Sequence, residues 1–212
     1  MSVKKKFSLG EEIANSVLHG IGALLAIAAM VLLIIKGSSF GDPWHVVGFT
    51  IFGVTLTILY TMSAIYHAFP LGTTKSIFER FDHISIYLLI AGSYTPFCFT
   101  ILLGKSGWII FSIQWTLAII GIVFKSIWIE KYVKRTTFIF VLMGWVIISV
   151  IGQIHASIPQ AGFILLVAGG ISYTIGTIFY IFPLFKYHHA VWHIFVLFGS
   201  IFHFFTVYLF VK

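Results

Sequence analysis

The sequence predicts an all-α integral membrane protein with seven transmembrane helices, its N-terminus cytoplasmic and its C-terminus outside. Three observations predict it. First, 59% of the residues are hydrophobic and 9% charged, against about 45–50% apolar and about 25% charged in a soluble domain. Second, a spanning helix takes about 20 residues, so 212 residues with short loops hold about seven and leave nothing for a separate soluble domain. Third, with the N-terminus inside, Lys4, Lys5, Lys6, Lys75, Arg80, Lys125, Lys131, Lys134, Arg135 and Lys186 all fall on the inner side. Lys36, Lys105 and Lys212 fall on the outer side, and ten against three is a positive-inside bias.

The chain divides in order as follows. Residues 1–11 are a short polar cytoplasmic tail. The first helix covers about Ile13 to Ile35 and ends near Lys36-Gly37. Glu11 and Glu12 precede its apolar run and no A-x-A-like cleavage site follows, so it reads as a retained helix rather than a signal peptide. Asp42-Pro43 forms a turn, and Pro43 suits a helix start. The second helix covers about Trp44 to Phe69 and stops at Pro70 and Gly72. A loop with Lys75, Glu79 and Arg80 leads to the third, about Phe81 to Leu103, in which Pro96 predicts a kink. The fourth runs from about Trp108 to Trp128. The most charged loop follows, with Glu130, Lys131, Lys134 and Arg135. The fifth covers about Thr136 to His155, the sixth about Phe163 to Phe182, and the seventh about His189 to Val211. All of 1–212 reads as a single transmembrane domain of a multi-pass cell-membrane protein.

Composition excludes some functions. The net charge of +7 reflects inner loops, and no basic face with interleaved aromatics offers a nucleic-acid surface. The single cysteine, Cys98, forbids an intrachain disulfide and reads as a small core residue. Gly92, Gly121, Gly144, Gly169 and Gly170 read as points of close helix approach.

The chemistry concentrates at one membrane depth. His189 and His193, four apart, share a helix face and can reach one metal ion. The topology places His67 at the inner end of the second helix and Asp82 at the inner start of the third. Taken singly, each is inward polar glue between helices. As a set they read as a metal site with His67, His189 and His193 as ligands. Catalytic zinc sites keep three protein ligands and an open position, and the ion polarises a carbonyl and brings a bound water to a pKa of roughly 7. Asp82 would hold that water or act as general base. Ser63, one turn before His67, would lie within reach of it. Three imidazoles favour Zn2+ over magnesium or calcium. His83 is expected to point elsewhere and His188 to sit in a loop. His203, about 15 Å farther along its helix than His193, lines the interior. His45 and His155 lie near the outer surface. Glu12, Asn15 and His19 form a polar stripe that ties helices or touches the inner site.

The segments Glu11–Gly20, Ser63-Ala64-Ile65-Tyr66-His67, Phe81–Phe97 and His189–Phe204 resemble bacterial hemolysin III proteins. These form the bacterial branch of the PAQR superfamily, with the adiponectin and progestin receptors. The resemblance covers nearly the whole chain. It implies seven helices with the N-terminus inside and zinc near the cytoplasmic face. It also implies zinc ligands at His67, His189 and His193, the acidic residue at Asp82 and the serine at Ser63. The receptors' long N-terminal extension is absent here, so a hormone-receptor role is not implied. The wider superfamily includes alkaline ceramidases, which implies a metal-dependent lipid amide or ester hydrolase acting in membrane homeostasis, with membrane lipids as partners. The family name implies instead a pore-forming cytolysin with a structural zinc. A membrane-state sensor is a third expectation, and the oligomeric state stays open.

Overall fold

The computed structural model describes residues 7–128 and 133–212, without the side chains of 133–135. Lys4, Lys5, Lys6, Glu130 and Lys131 lie outside the described residues, as do the side chains of Lys134 and Arg135. All described regular structure is helical. The elements are α1 (Leu9–Ser38), α2 (Pro43–Ala68), α3 (Thr73–Thr100), α4 (Lys105–Ile127), α5 (Val133–Trp145), a 3-10 turn (Val146–Val150), α6 (Ile151–Ser157), α7 (Gln160–Ile181) and α8 (His188–Phe210).

Several helix starts lie a few residues earlier than expected, and three differences have a clear local reason. Helix α1 begins at Leu9, inside the expected tail, because Ser8 and Glu11 form a capping box that satisfies backbone donors at the helix start. Helix α3 begins at Thr73, so the expected loop of Lys75, Glu79 and Arg80 is helical. Lys75 and Glu79 are buried there, and the Lys75 ammonium is held by the carbonyls of Tyr66 and Phe69 at 2.8 and 3.1 Å. The expected fifth helix is broken between Trp145 and Ile151. The Tyr94 hydroxyl stitches the break, donating to the carbonyls of Met143 or Gly144 and accepting from the Ile147 N–H. Gln114 also donates to the Met143 carbonyl, at 2.8 Å.

Among the described residues, six helices or helical columns are long and apolar enough to cross a membrane: α1, α2, α4, the Thr136–Ser157 column, α7 and α8. Helix α3 has the length, at 28 residues, but its first turns carry Lys75, Glu79, Arg80 and Asp82. The outward faces are apolar, with Leu24, Ile119 and Ile120 exposed, as lipid contact demands. The chain is a multi-pass membrane protein. Helices α1 to α4 pack in sequence, α1 also packs on α8, α8 on α7, and α7 on α5, which meets α3 and α4. The result is a closed ring of helices around internal cavities.

Glycines set several of the approaches. A Cβ on Gly92 would strike Thr55, one on Gly121 would strike Tyr87, and one on Gly169 would strike His203. Gly144 is different: no side chain or backbone crowds it, and it sits at the broken helix, where its carbonyl serves Tyr94. Pro96 lies within α3, where the α2 backbone at Gly48 comes close to its Cα. Cys98 is buried in the core.

Candidate metal centre

One end of the bundle gathers the C-terminal end of α2 with the N-terminal starts of α1, α3 and α8. His67 is the penultimate residue of α2, and His189 and His193 occupy the first turns of α8 on one face. All three are buried, and one ring nitrogen from each lies within 4.8 Å of the others. Ring centroids are 5.3 Å apart for His67 and His189, 5.1 Å for His67 and His193, and 4.6 Å for His189 and His193.

The surroundings fix part of this set. His67 Nδ1–H donates to Glu12 Oε2 at 2.7 Å, and Glu12 Oε1 is 3.0 Å from the Lys75 ammonium. His67 Nε2 is buried without a hydrogen-bond partner among the described residues. A bare buried acceptor of this kind is unfavourable by about 1–3 kcal/mol, and a metal ion is the partner that a triad of imidazoles suits. His193 Nδ1 and Ser63 Oγ are likewise buried without partners among the described residues. The residues present therefore fit a metal ion. His19 stacks on His193 and meets Tyr60 edge-on at 5.0 Å. Phe7 covers the outer side of the cluster, 4.8 Å from the His189 ring. The Tyr187 N–H donates to Glu11 Oε1 at 3.1 Å and ties the start of α1 to the start of α8.

Ser63, Asp82, His189 and His193 share the wall of one small cavity with His19, His83 and Tyr180. Its free volume of about 20 Å³ suits one small occupant. His67 is not part of this wall; with Glu12, Lys75 and Phe7 it lines a separate cavity, and it meets the small cavity's residues through His189 and His193. Four residues shared by both walls (Leu59, Ile86, Trp192 and Val196) lie between this space and a larger apolar cavity of about 100 Å³ next to it, lined from α3, α5, α7 and α8. The interior position expected of His203 is found: it lines this second cavity, its Nε2 3.2 Å from the Leu166 carbonyl.

Two expectations are corrected. His83 does not point away; it lines the small cavity, with its Nδ1–H donated to the Glu79 carbonyl at 2.7 Å. His188 is not in a loop but opens α8, and its Nδ1–H serves the Phe179 carbonyl. His45 and His155 pair instead with Asp42 and Gln160. Sequence reasoning missed Lys75, which it placed in a loop, and Phe7. It named Glu12 without its role. The 3–4 spacing of Glu12, Asn15 and His19 was the available signal, since it turns all three toward α2 and α8.

Three comparisons bear on this arrangement. The family model described as "Haemolysin-III related" matches residues 7–204. A Bacillus subtilis protein named "Hemolysin-3 homolog" is 47% identical over 201 residues, covering 95% of this chain and 94% of its own. "Hemolysin-3" of Bacillus cereus is 45% identical over 197 residues, covering 93% and 90%. The human "Monocyte to macrophage differentiation factor" is 27% identical over 210 residues, covering 93% and 83%. No solved structure matches.

Proposed function

The chain belongs to the haemolysin-III-related family, and from that premise we propose that it is a metal-dependent hydrolase of a lipid amide or ester, acting in membrane homeostasis. It resides in the bacterial plasma membrane as one domain of seven spans, α3 included. The N-terminus and the three-histidine end are cytoplasmic and the C-terminus is outside. The observation that carries the reading is the convergence of three buried imidazoles from α2 and α8 beside a cavity walled by Asp82 and Ser63.

His67, His189 and His193 would hold the ion, and three imidazoles favour zinc. When bound there, zinc would supply Lewis acidity to a substrate carbonyl and to the attacking water. Asp82 takes a proton from that water and delivers it to the leaving group. Ser63, with its free hydroxyl, donates to the oxygen on which charge develops. The apolar cavity next to the site receives an acyl chain and keeps bulk water out.

The test begins with elemental analysis of detergent-purified protein. About one zinc per chain is expected, lost in His193→Ala and kept in Asp82→Ala, with lipid turnover abolished in both. Folded wild-type protein with no metal sinks the hydrolase. The name printed for the relatives, Hemolysin-3, favours a second reading, a pore-forming cytolysin with structural zinc. Its signature is size-limited leakage from liposomes that survives Asp82→Ala. The interior favours the first reading, because the larger cavity is walled mainly by apolar and aromatic groups rather than by a polar lumen.

A further inference from the structure

Glu12 stands outside the ligand triad, on α1, and touches the centre only through His67. Both of its carboxylate oxygens are committed: Oε2 accepts the His67 Nδ1–H at 2.7 Å and Oε1 receives the Lys75 ammonium at 3.0 Å. Lys75 is in turn fixed by the Tyr66 and Phe69 carbonyls at the end of α2. Its three N–H donors are thus matched by three acceptors, and the chain Lys75–Glu12–His67 joins α3, α1 and α2 with no loose member. With Lys75 3% and Glu12 16% exposed at their side chains, this pair is screened less by salt than a surface pair.

The arrangement has a chemical consequence. A neutral imidazole carries one N–H and one lone pair. A carboxylate accepts and cannot donate, so the nitrogen facing Glu12 must be the protonated one. Nε2 is then the lone-pair nitrogen, and it is the His67 nitrogen left without a partner among the described residues. We propose that Glu12, anchored by Lys75, is a positioning residue of the metal centre that holds His67 in the Nδ1–H tautomer with Nε2 ready to ligate. This rests on the metal-site reading above and extends it to a residue the triad does not contain. A carboxylate on the far nitrogen also makes the ligating nitrogen more basic, which strengthens its bond to the ion. The rival explanation is a plain structural bridge between α1 and α3.

Zinc affinity by chelator competition separates the two, alongside cobalt(II) spectra and the thermal midpoint of metal-free protein. Glu12→Ala is expected to bind zinc about 10–100-fold more weakly and to change the cobalt absorption. Glu12→Gln, which keeps an acceptor for the Nδ1–H, is expected to recover part of the affinity. Wild-type affinity and an unaltered cobalt spectrum in Glu12→Ala would overturn the proposal, whatever happens to the thermal midpoint. Should Glu12→Ala fail to fold, histidine-selective 15N NMR on metal-free wild type reads the tautomer directly, with His67 assigned by the signal missing in His67→Asn. A protonated Nδ1 and bare Nε2 support the proposal, and the opposite tautomer overturns it. If the wild type binds neither zinc nor cobalt, the metal reading itself fails and takes this one with it. That outcome is distinct from a metal-loaded wild type with an indifferent Glu12.

Discussion

His19 lies face to face with His193, ring centroids 3.6 Å apart and planes 14° from parallel. Neither nitrogen of His19 has a hydrogen-bond partner among the described residues, so its contact with the centre is through its ring face. On the proposed metal reading it braces His193 and does not itself bind the ion. His19→Ala is expected to keep about one metal per chain while lowering stability by about 2–3 kcal/mol, from the cavity left behind and the lost stacking. Elemental analysis beside thermal unfolding in detergent checks both halves.

The triad and its neighbours should separate cleanly by variant. His67→Ala, His189→Ala and His193→Ala are each expected to lose the metal, because two imidazoles do not complete the site. Ser63→Ala is expected to keep it and to lower turnover by about 100–1000-fold, the scale for removing one donor to a developing oxyanion. Metal content and lipid turnover measured on the same preparations decide it. Metal loss in Ser63→Ala would count against this division of roles.

The break between Trp145 and Ile151 depends on a hydroxyl from another helix. Tyr94→Phe removes the group that serves the Met143 or Gly144 carbonyl and the Ile147 N–H. With buried backbone groups left wanting, the expected loss is about 1–3 kcal/mol. A shift of the unfolding midpoint tests it, and an unchanged midpoint would show that the break is held by other means.

Two glycines make opposite forecasts. At Gly107 a Cβ would press on the Cys98 carbonyl and lie 3.1 Å from that of Leu102. Backbone cannot rotate away, so Gly107→Ala should destabilise by about 1–3 kcal/mol. At Gly20 a Cβ meets nothing within 4 Å, and Gly20→Ala should be neutral or stabilise by up to about 1 kcal/mol. Parallel unfolding curves compare the pair.

The orientation can be read with thiol chemistry, because Cys98 is buried and gives a low background. Both Lys105 and Lys186 are exposed. In intact cells, Lys105→Cys should react with a membrane-impermeant maleimide while Lys186→Cys should react only after permeabilisation. The reverse pattern would invert the topology.

The helical class, most of the spans and the three histidines were legible because they depend on local spacing. Residues four apart share a helix face whatever the tertiary fold, and loop charges place helix ends at a common depth. The Glu12–His67 bond was not legible, because it depends on how α1 and α2 align, and Ser16 bonding to the Ala64 carbonyl is visible only once they pack. Lys75 was misplaced for the same reason: a cation next to Gly72 reads as loop until its three acceptors are in view. The break after Trp145 has no proline to announce it. It is written in Tyr94 and Gln114, on two other helices.

On the proposed reading the three ligands lie far apart in the sequence, and that orders events during synthesis. Roughly 120 residues separate His67 from His189. At about 5–20 residues per second, the ribosome needs several seconds or more to deliver the second and third imidazoles. By then Glu12, His67 and Lys75, all within the first 75 residues, can already be joined. On that reading the nascent protein carries an oriented but incomplete half-site until α8 inserts, and a chain cut before His189 is expected not to retain the ion. Metal loading would then report that translation has passed through α8.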